Sequence, residues 1–218
     1  MSESIIETDV LIVGGGPSGA SAALSLLNYS DYDVTIIEQS DFNTTRVGEH
    51  VSNSIFDLVE YLKLKKSDFE EGSFIPAYAS KSYWGNDDVS TINTIFTTNE
   101  STFQLDREKF DFKLIEITAE RGATIYPRTK CLEYEQLKDK SWEISLNHPT
   151  EGKFQIHANY LVDASGRSVN VGRKVGGILQ KHDSLMGIGM FLTMDDTSKK
   201  FEQTIESVEL GWWYTACL

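Results

Sequence analysis

Three glycines limit what this chain can fold into. They stand at Gly14, Gly16 and Gly19 in the run Val10-Leu11-Ile12-Val13-Gly14-Gly15-Gly16-Pro17-Ser18-Gly19, the spacing G-x-G-x-x-G. Glycine-rich turns are common, so the flanks decide the reading. Val10 to Val13 is an apolar run, read as a buried strand that enters the glycines directly. Pro17 suits the first turn of a helix, where its missing N–H costs nothing. Ala20, Ala22, Ala23, Leu24, Leu26 and Leu27 then make a helix apolar enough to lie on a sheet. A second strand, Val34-Thr35-Ile36-Ile37, ends at Glu38. In such a unit Gly14 allows the tight turn, Gly16 lets a pyrophosphate approach the backbone, and Gly19 lets helix and strand pack closely. The helix N-terminus offers N–H groups and partial positive charge to phosphates. Glu38 falls about 20 residues beyond Gly19, where a carboxylate grips a ribose hydroxyl. An acid there disfavours a 2′-phosphate, so FAD or NAD is expected rather than NADP.

Composition sets further bounds. A chain of 218 residues suits one domain or two small ones, and at 40% hydrophobic it can bury a core. The net charge of −13 argues against nucleic acid or an anionic membrane as partner, since both need a basic face. Cys131 and Cys217 lie far apart, with no disulfide framework and no metal-ligand spacing. No apolar run approaches the ~20 residues of a membrane span. The first strand begins within about ten residues of Met1, so no signal peptide and a cytoplasmic location are expected.

Along the rest of the chain the reading is mixed. Residues 39–50 read as a loop. Ile55, Leu58, Val59 and Leu62 mark a helix from Ser52 or Ser54 to about Leu64. Residues 74–97 suggest short strands around a Gly85-Asn86-Asp87-Asp88 turn. Asp106 is a plausible N-cap for a helix through Phe110, Leu114 and Ile117, ended by Gly122. Strands follow over 123–126, 132–137 and 142–146; Phe154, Ile156 and Ala158 alternate next, and an apolar strand Tyr160-Leu161-Val162 leads into Asp163. Residues 185–218 are rich in strand formers and end on an aromatic strand with nothing after it to pair with.

Four ordered segments carry a resemblance: the glycine fingerprint, Arg46-Val47-Gly48-Glu49, Leu105-Asp106-Arg107-Glu108-Lys109-Phe110-Asp111 and Asp163-Ala164-Ser165-Gly166-Arg167. The chain resembles FAD-dependent oxidoreductases of the group that holds aromatic-ring hydroxylases, geranylgeranyl reductases and flavin-dependent halogenases. It is most similar to the tryptophan-halogenase-like branch. Ser82-Tyr83-Trp84-Gly85 and Gly211-Trp212-Trp213-Tyr214 point the same way.

The resemblance implies an α/β fold, α+β overall. It has a Rossmann-like FAD-binding domain with a β-meander over 1–72 and 98–172, and a partial β-sheet substrate domain over 73–97 and 173–218. It implies that Gly14, Gly16, Ser18 and Gly19 hold the FAD pyrophosphate and Glu38 the adenosine ribose. Arg46 and Arg107 would reach the cofactor, the backbone at Cys131 would border the adenine, and Asp163 and Gly166 would close the domain against the dinucleotide. Trp84, Trp212 and Tyr214 would line the substrate side. The implied activity is oxygen transfer by reduced flavin and O2 to a small-molecule or protein-bound substrate. NAD(P)H or a separate flavin reductase would supply the electrons. The alternatives are reduction of isoprenoid double bonds and a non-catalytic FAD-binding fragment.

Where the halogenase tryptophan motif is expected, Tyr214, Ala216 and Cys217 replace three of its residues, which argues against halogenation. The Lys81 spacing to Trp84 does not fit the halogenase lysine. The family's later glycine–aspartate motif has no counterpart before Leu218, so a C-terminally truncated form is expected. No catalytic residue and no metal ligand is identified. His50, His148, His157 and His182 have no partner at a telling spacing and read as structural or surface residues.

Overall fold

The computed structural model describes residues 5–43, 46–85, 88–93, 102–193 and 201–217. In chain order the elements are β1 (Ile5–Val13), α1 (Pro17–Tyr29), β2 (Val34–Ile37), β3 (Glu49–Val51), α2 (Ile55–Tyr61), β4 (Phe74–Ala77), β5 (Ala79–Tyr83), β6 (Ser90–Asn93) and β7 (Thr102–Leu105). They continue with α3 (Arg107–Glu120), β8 (Thr124–Tyr126), β9 (Lys130–Gln136), β10 (Trp142–His148), β11 (Gly152–Asp163), α4 (Asn170–Lys174), β12 (Glu202–Val208) and β13 (Gly211–Ala216). The chain divides into two compact units: Met1–Thr44 with Asp111–Leu185, and Thr45–Phe110 with Met186–Leu218. Like the division expected from the sequence, this one is discontinuous, but it cuts at 44/45, 110/111 and 185/186.

The first unit is built on a six-stranded sheet in the order β8-β2-β1-β11-β10-β9. β8, β2, β1 and β11 run parallel, and β10 and β9 add the antiparallel meander. Val10 to Val13 and all of β2 are buried, which is why they read as continuous apolar runs. Ala20, Ala23 and Leu24 of α1 are fully buried. Leu11, Val13, Ile37, Ile144, Leu146, Ile156, Ala158 and Val171 form one core cluster. β11 is one strand, where the sequence shows an alternating segment and then an apolar one. Gly152–Ala158 pairs with β10 on one side, β1 pairs on the other from Gln155 onward, and Tyr160–Asp163 pairs with β1. The change of neighbours changes the burial pattern and hides the continuity.

The second unit has two sheets, β3-β7-β4 and β13-β12-β5-β6. Phe56, Phe69, Phe74, Phe103 and Phe110 pack as its aromatic core, with Phe69 and Phe110 stacked at 5.2 Å between centroids. Lys66 Nζ sits 4.5 Å from the Phe103 centroid. Asp106 caps α3 as expected, its Oδ1 accepting from Lys109 N at 3.2 Å. The loop expected over 39–50 ends early, because Glu49–Val51 pairs with β7. The aromatic end strand finds a partner upstream: β13 pairs antiparallel with β12. Asn86, Asp87 and residues 94–97 of the expected strand region lie outside the described residues.

Candidate nucleotide and substrate sites

The glycine turn sits at the carboxyl ends of β1, β2 and β11, the position where parallel sheets bind ligands. Gly14 has φ +112°, and a Cβ there would lie 2.4 Å from Ala164 O. A Cβ on Gly19 would lie 1.8 Å from Gly14 O. Both contacts are with backbone, so neither position admits a side chain without moving the turn. Gly16 is the N-cap of α1, without a side-chain cap and without an acidic residue in the first turn. Ser18 is exposed in that turn. An N-terminus left uncapped by its own chain is suited to an anion.

Glu38 closes one side. Its Oε2 accepts from Gly15 N and its Oε1 from Ser40 N, each at 2.7 Å. The carboxylate is thus fixed against the glycine turn with lone pairs to spare. The segment after Asp163 closes the other side, since Ala164 N donates to Val13 O at 2.9 Å. Asp163 Oδ1 accepts from Ser165 N and Oγ, and Oδ2 from Gly172 N at 2.8 Å. Burial opposes ionisation of Asp163, but these hydrogen bonds outweigh it and hold the carboxyl below its ordinary range. Asp163 therefore shapes the loop with both oxygens. Gly166 has φ +64°. Cys131 lies on β9, just after Thr129, whose N–H donates to Glu38 O at 2.8 Å. Burial pushes the Cys131 thiol up to about 11.

Two residues here escaped the sequence reading. A Cβ on Gly15 would lie 2.7 Å from the Phe42 ring, so the middle glycine answers to Phe42. Phe42 itself has φ +63°. Gly15 lies inside the fingerprint at a position the pattern leaves free, and nothing in the loop composition marks Phe42.

The remaining candidates belong to the second unit. Arg107 pairs with Glu49, a partner 58 positions away, and its side chain is 15% exposed. Arg46 is half-buried at the start of the segment that leads into β3. Trp84 and Trp212 face each other at 6.4 Å between centroids, and both are about half exposed. A cavity of about 280 Å³ beside them is lined by Ser82, Trp84, Asp88, Val89 and Ser90. The Tyr214 hydroxyl donates to Gln203 Oε1 at 2.9 Å. Lys81 pairs with Glu202 at 2.9 Å across β5 and β12. His50 and His157, read as lacking partners, have them. His50 Nδ1 lies 2.9 Å from Gln104 Nε2, and His157 bridges Glu7 and Ser141 at 2.6 and 2.9 Å. Those partners come from strand pairings that sequence spacing does not reveal. Among the described residues, no helix is long and apolar enough to cross a membrane.

Comparisons with known proteins bear on the family and the fold. The sequence profile described as "FAD binding domain" matches residues 7–214. LodB of Marinomonas mediterranea, named as an FAD-dependent oxidoreductase, is 42% identical over 210 residues, covering 96% of this chain and 57% of LodB. The chain therefore spans little more than half of that relative. The crystal structure of CmlS, a flavin-dependent halogenase, superposes with a TM-score of 0.76 at 22% identity, over 98% of this chain and 40% of that one. The p-nitrophenol 4-monooxygenase PnpA of Pseudomonas putida gives 0.66 at 17% identity, over 79% and 44%. Both likenesses concern the fold.

Proposed function

This chain belongs to the FAD-binding-domain family, and from that premise we propose that it is the cofactor-binding part of a flavin monooxygenase. The observation that carries the reading is the uncapped N-terminus of α1, held between Glu38 and the Asp163–Gly166 loop. Its residues fit FAD: Gly14 and Gly19 exclude side chains from the turn, the first turn of α1 carries no acid, and Glu38 is fixed where a ribose hydroxyl would meet it. When bound, FAD supplies the redox chemistry with O2.

The chain's own residues bind and orient. The Gly16, Ser18 and Gly19 backbone faces the pyrophosphate, and Glu38 selects an unphosphorylated ribose. The strand start at Cys131 borders the adenine, and Asp163 keeps the closing loop in shape. Arg46 and Arg107, both in the second unit, are the arginines this reading assigns to the cofactor, Arg107 with Glu49 as its partner. Trp84, Trp212 and Tyr214 offer an aromatic surface to an organic substrate, small or carried on a protein. The departures at Tyr214, Ala216 and Cys217 favour oxygen transfer over halogenation. Electrons come from NAD(P)H or a separate flavin reductase.

The test is to load the protein with FAD, reduce it without air and add isotopically labelled O2 with a panel of aromatic substrates. Labelled oxygen in a product supports the proposal. Reduction of a substrate double bond without O2 would replace it with the reductase reading.

A further inference from the structure

Five polar side chains from five strands of the second unit meet in one run of hydrogen bonds. Gln104 of β7 lies at its centre and is 3% exposed. Its Nε2 lies 2.9 Å from His50 Nδ1 and donates to Tyr214 Oη at 2.9 Å. The Tyr214 hydroxyl donates on to Gln203 Oε1 at 2.9 Å, and Gln203 Nε2 donates to Ser80 Oγ at 3.2 Å. Gln104 Oε1 is buried and has no hydrogen-bond partner among the described residues. A buried amide with one end unmatched costs stability. An apolar side chain between the strands would not carry that cost.

The amide orientation follows from its surroundings. Gln104 Nε2 also lies 3.4 Å from Gln203 Oε1. Turning the amide over would set two acceptor oxygens against each other there. With Nε2 facing His50, both amide hydrogens are committed and Nδ1 must accept. A ring nitrogen that accepts carries no proton, so the imidazole is neutral and its proton sits on Nε2. The neighbouring charges do not oppose this. Glu49, next to His50 on β3, is paired with Arg107, and the groups beyond Gln104 are a phenol and an amide. Burial of His50 favours its neutral form as well.

We propose that Gln104 is a positioning residue that holds His50 as a neutral imidazole protonated on Nε2 and couples that state to the Tyr214 hydroxyl. Nε2–H is then the donor that the ring has left to offer. Protonating His50 at Nδ1 requires Gln104 to turn over, so that Oε1 accepts from Nδ1–H. The same turn takes the Nε2 donor away from Tyr214. The charge on His50 and the hydrogen bonding of Tyr214 thus change together. This role goes beyond the cofactor reading and does not depend on it.

Histidine NMR on the flavin-free protein with nitrogen-labelled histidine tests it, with His50→Gln to assign the signal. The wild-type ring is expected neutral at pH 7, protonated on Nε2, and titrating below the ordinary 6.5. In Gln104→Glu a carboxylate faces Nδ1 and accepts from it, so the His50 titration moves up by about one pH unit or more. A wild-type ring protonated on Nδ1, or charged at pH 7, would overturn the proposal. So would a folded Gln104→Glu protein with an unshifted His50. If Gln104→Glu does not fold, the wild-type spectrum alone decides. FAD binding is measured separately, so its failure would not be confused with this one.

Discussion

Gly15 and Phe42 are a matched pair, and their coupling can be measured. Gly15→Ala forces a methyl to within 2.7 Å of the Phe42 ring. The expected cost is about 1–3 kcal/mol in denaturant unfolding. In a Phe42→Ala background that cost should fall by about 1 kcal/mol or more, a coupling that a double-mutant cycle reads directly. Equal costs in both backgrounds would show that Gly15 is needed for another reason. Gly14→Ala differs, because its methyl meets Ala164 O, a backbone atom, at positive φ. No partner substitution should rescue it. Cys131 gives a second residue-scale prediction. Burial raises its thiol to about 11, so in a Cys217→Ser background the native protein should react with iodoacetamide at neutral pH roughly 100-fold slower than the unfolded chain.

Among the elements, the loop after β11 depends on one carboxylate. Asp163 binds Ser165 and Gly172, and its folded-state value lies below the unfolded one. Its contribution is therefore present above about pH 4 and is lost as pH falls through the folded value. Acid unfolding should show that loss in the wild type and not in Asp163→Asn, which should already be less stable at neutral pH. The elements also show what the sequence made legible. β1, α1 and β2 were readable because strand, turn and helix are consecutive and each period is clean. The cap at Asp106 and the end at Gly122 were readable for the same local reason. The Arg107–Glu49 pair, the His157 bridge between Glu7 and Ser141, and the Gln104 cluster were not. Their bonds join residues 11 to 150 positions apart, brought together by the pairings of β3 with β7, β1 with β11 and β12 with β13 and by the meeting of β7 with β13. The Phe42 contact is closer in sequence, but it rests on a backbone angle that phenylalanine rarely adopts.

At the scale of the molecule, the two units carry different kinds of residue. The first holds the glycine turn, Glu38, Cys131 and Asp163; the second holds Arg46, Arg107, Trp84, Trp212 and Tyr214. The proposed nucleotide site belongs to the first and depends on backbone geometry, so single substitutions in the turn should abolish binding there. The residues proposed for substrate belong to the second and are aromatic and half exposed. Trp212→Ala should leave FAD affinity within about twofold while changing substrate response, since Trp212 packs on Trp84 within the second unit and the glycine turn belongs to the first.

The function proposed for this chain depends on FAD binding at its glycine turn. Titration of the purified protein with FAD, followed by flavin fluorescence and repeated with Gly16→Val, tests it most directly. The account predicts saturable binding at one site that is lost in Gly16→Val while the fold, read by circular dichroism, persists. A folded wild-type protein that leaves flavin fluorescence unchanged, or equal binding by Gly16→Val, would contradict it.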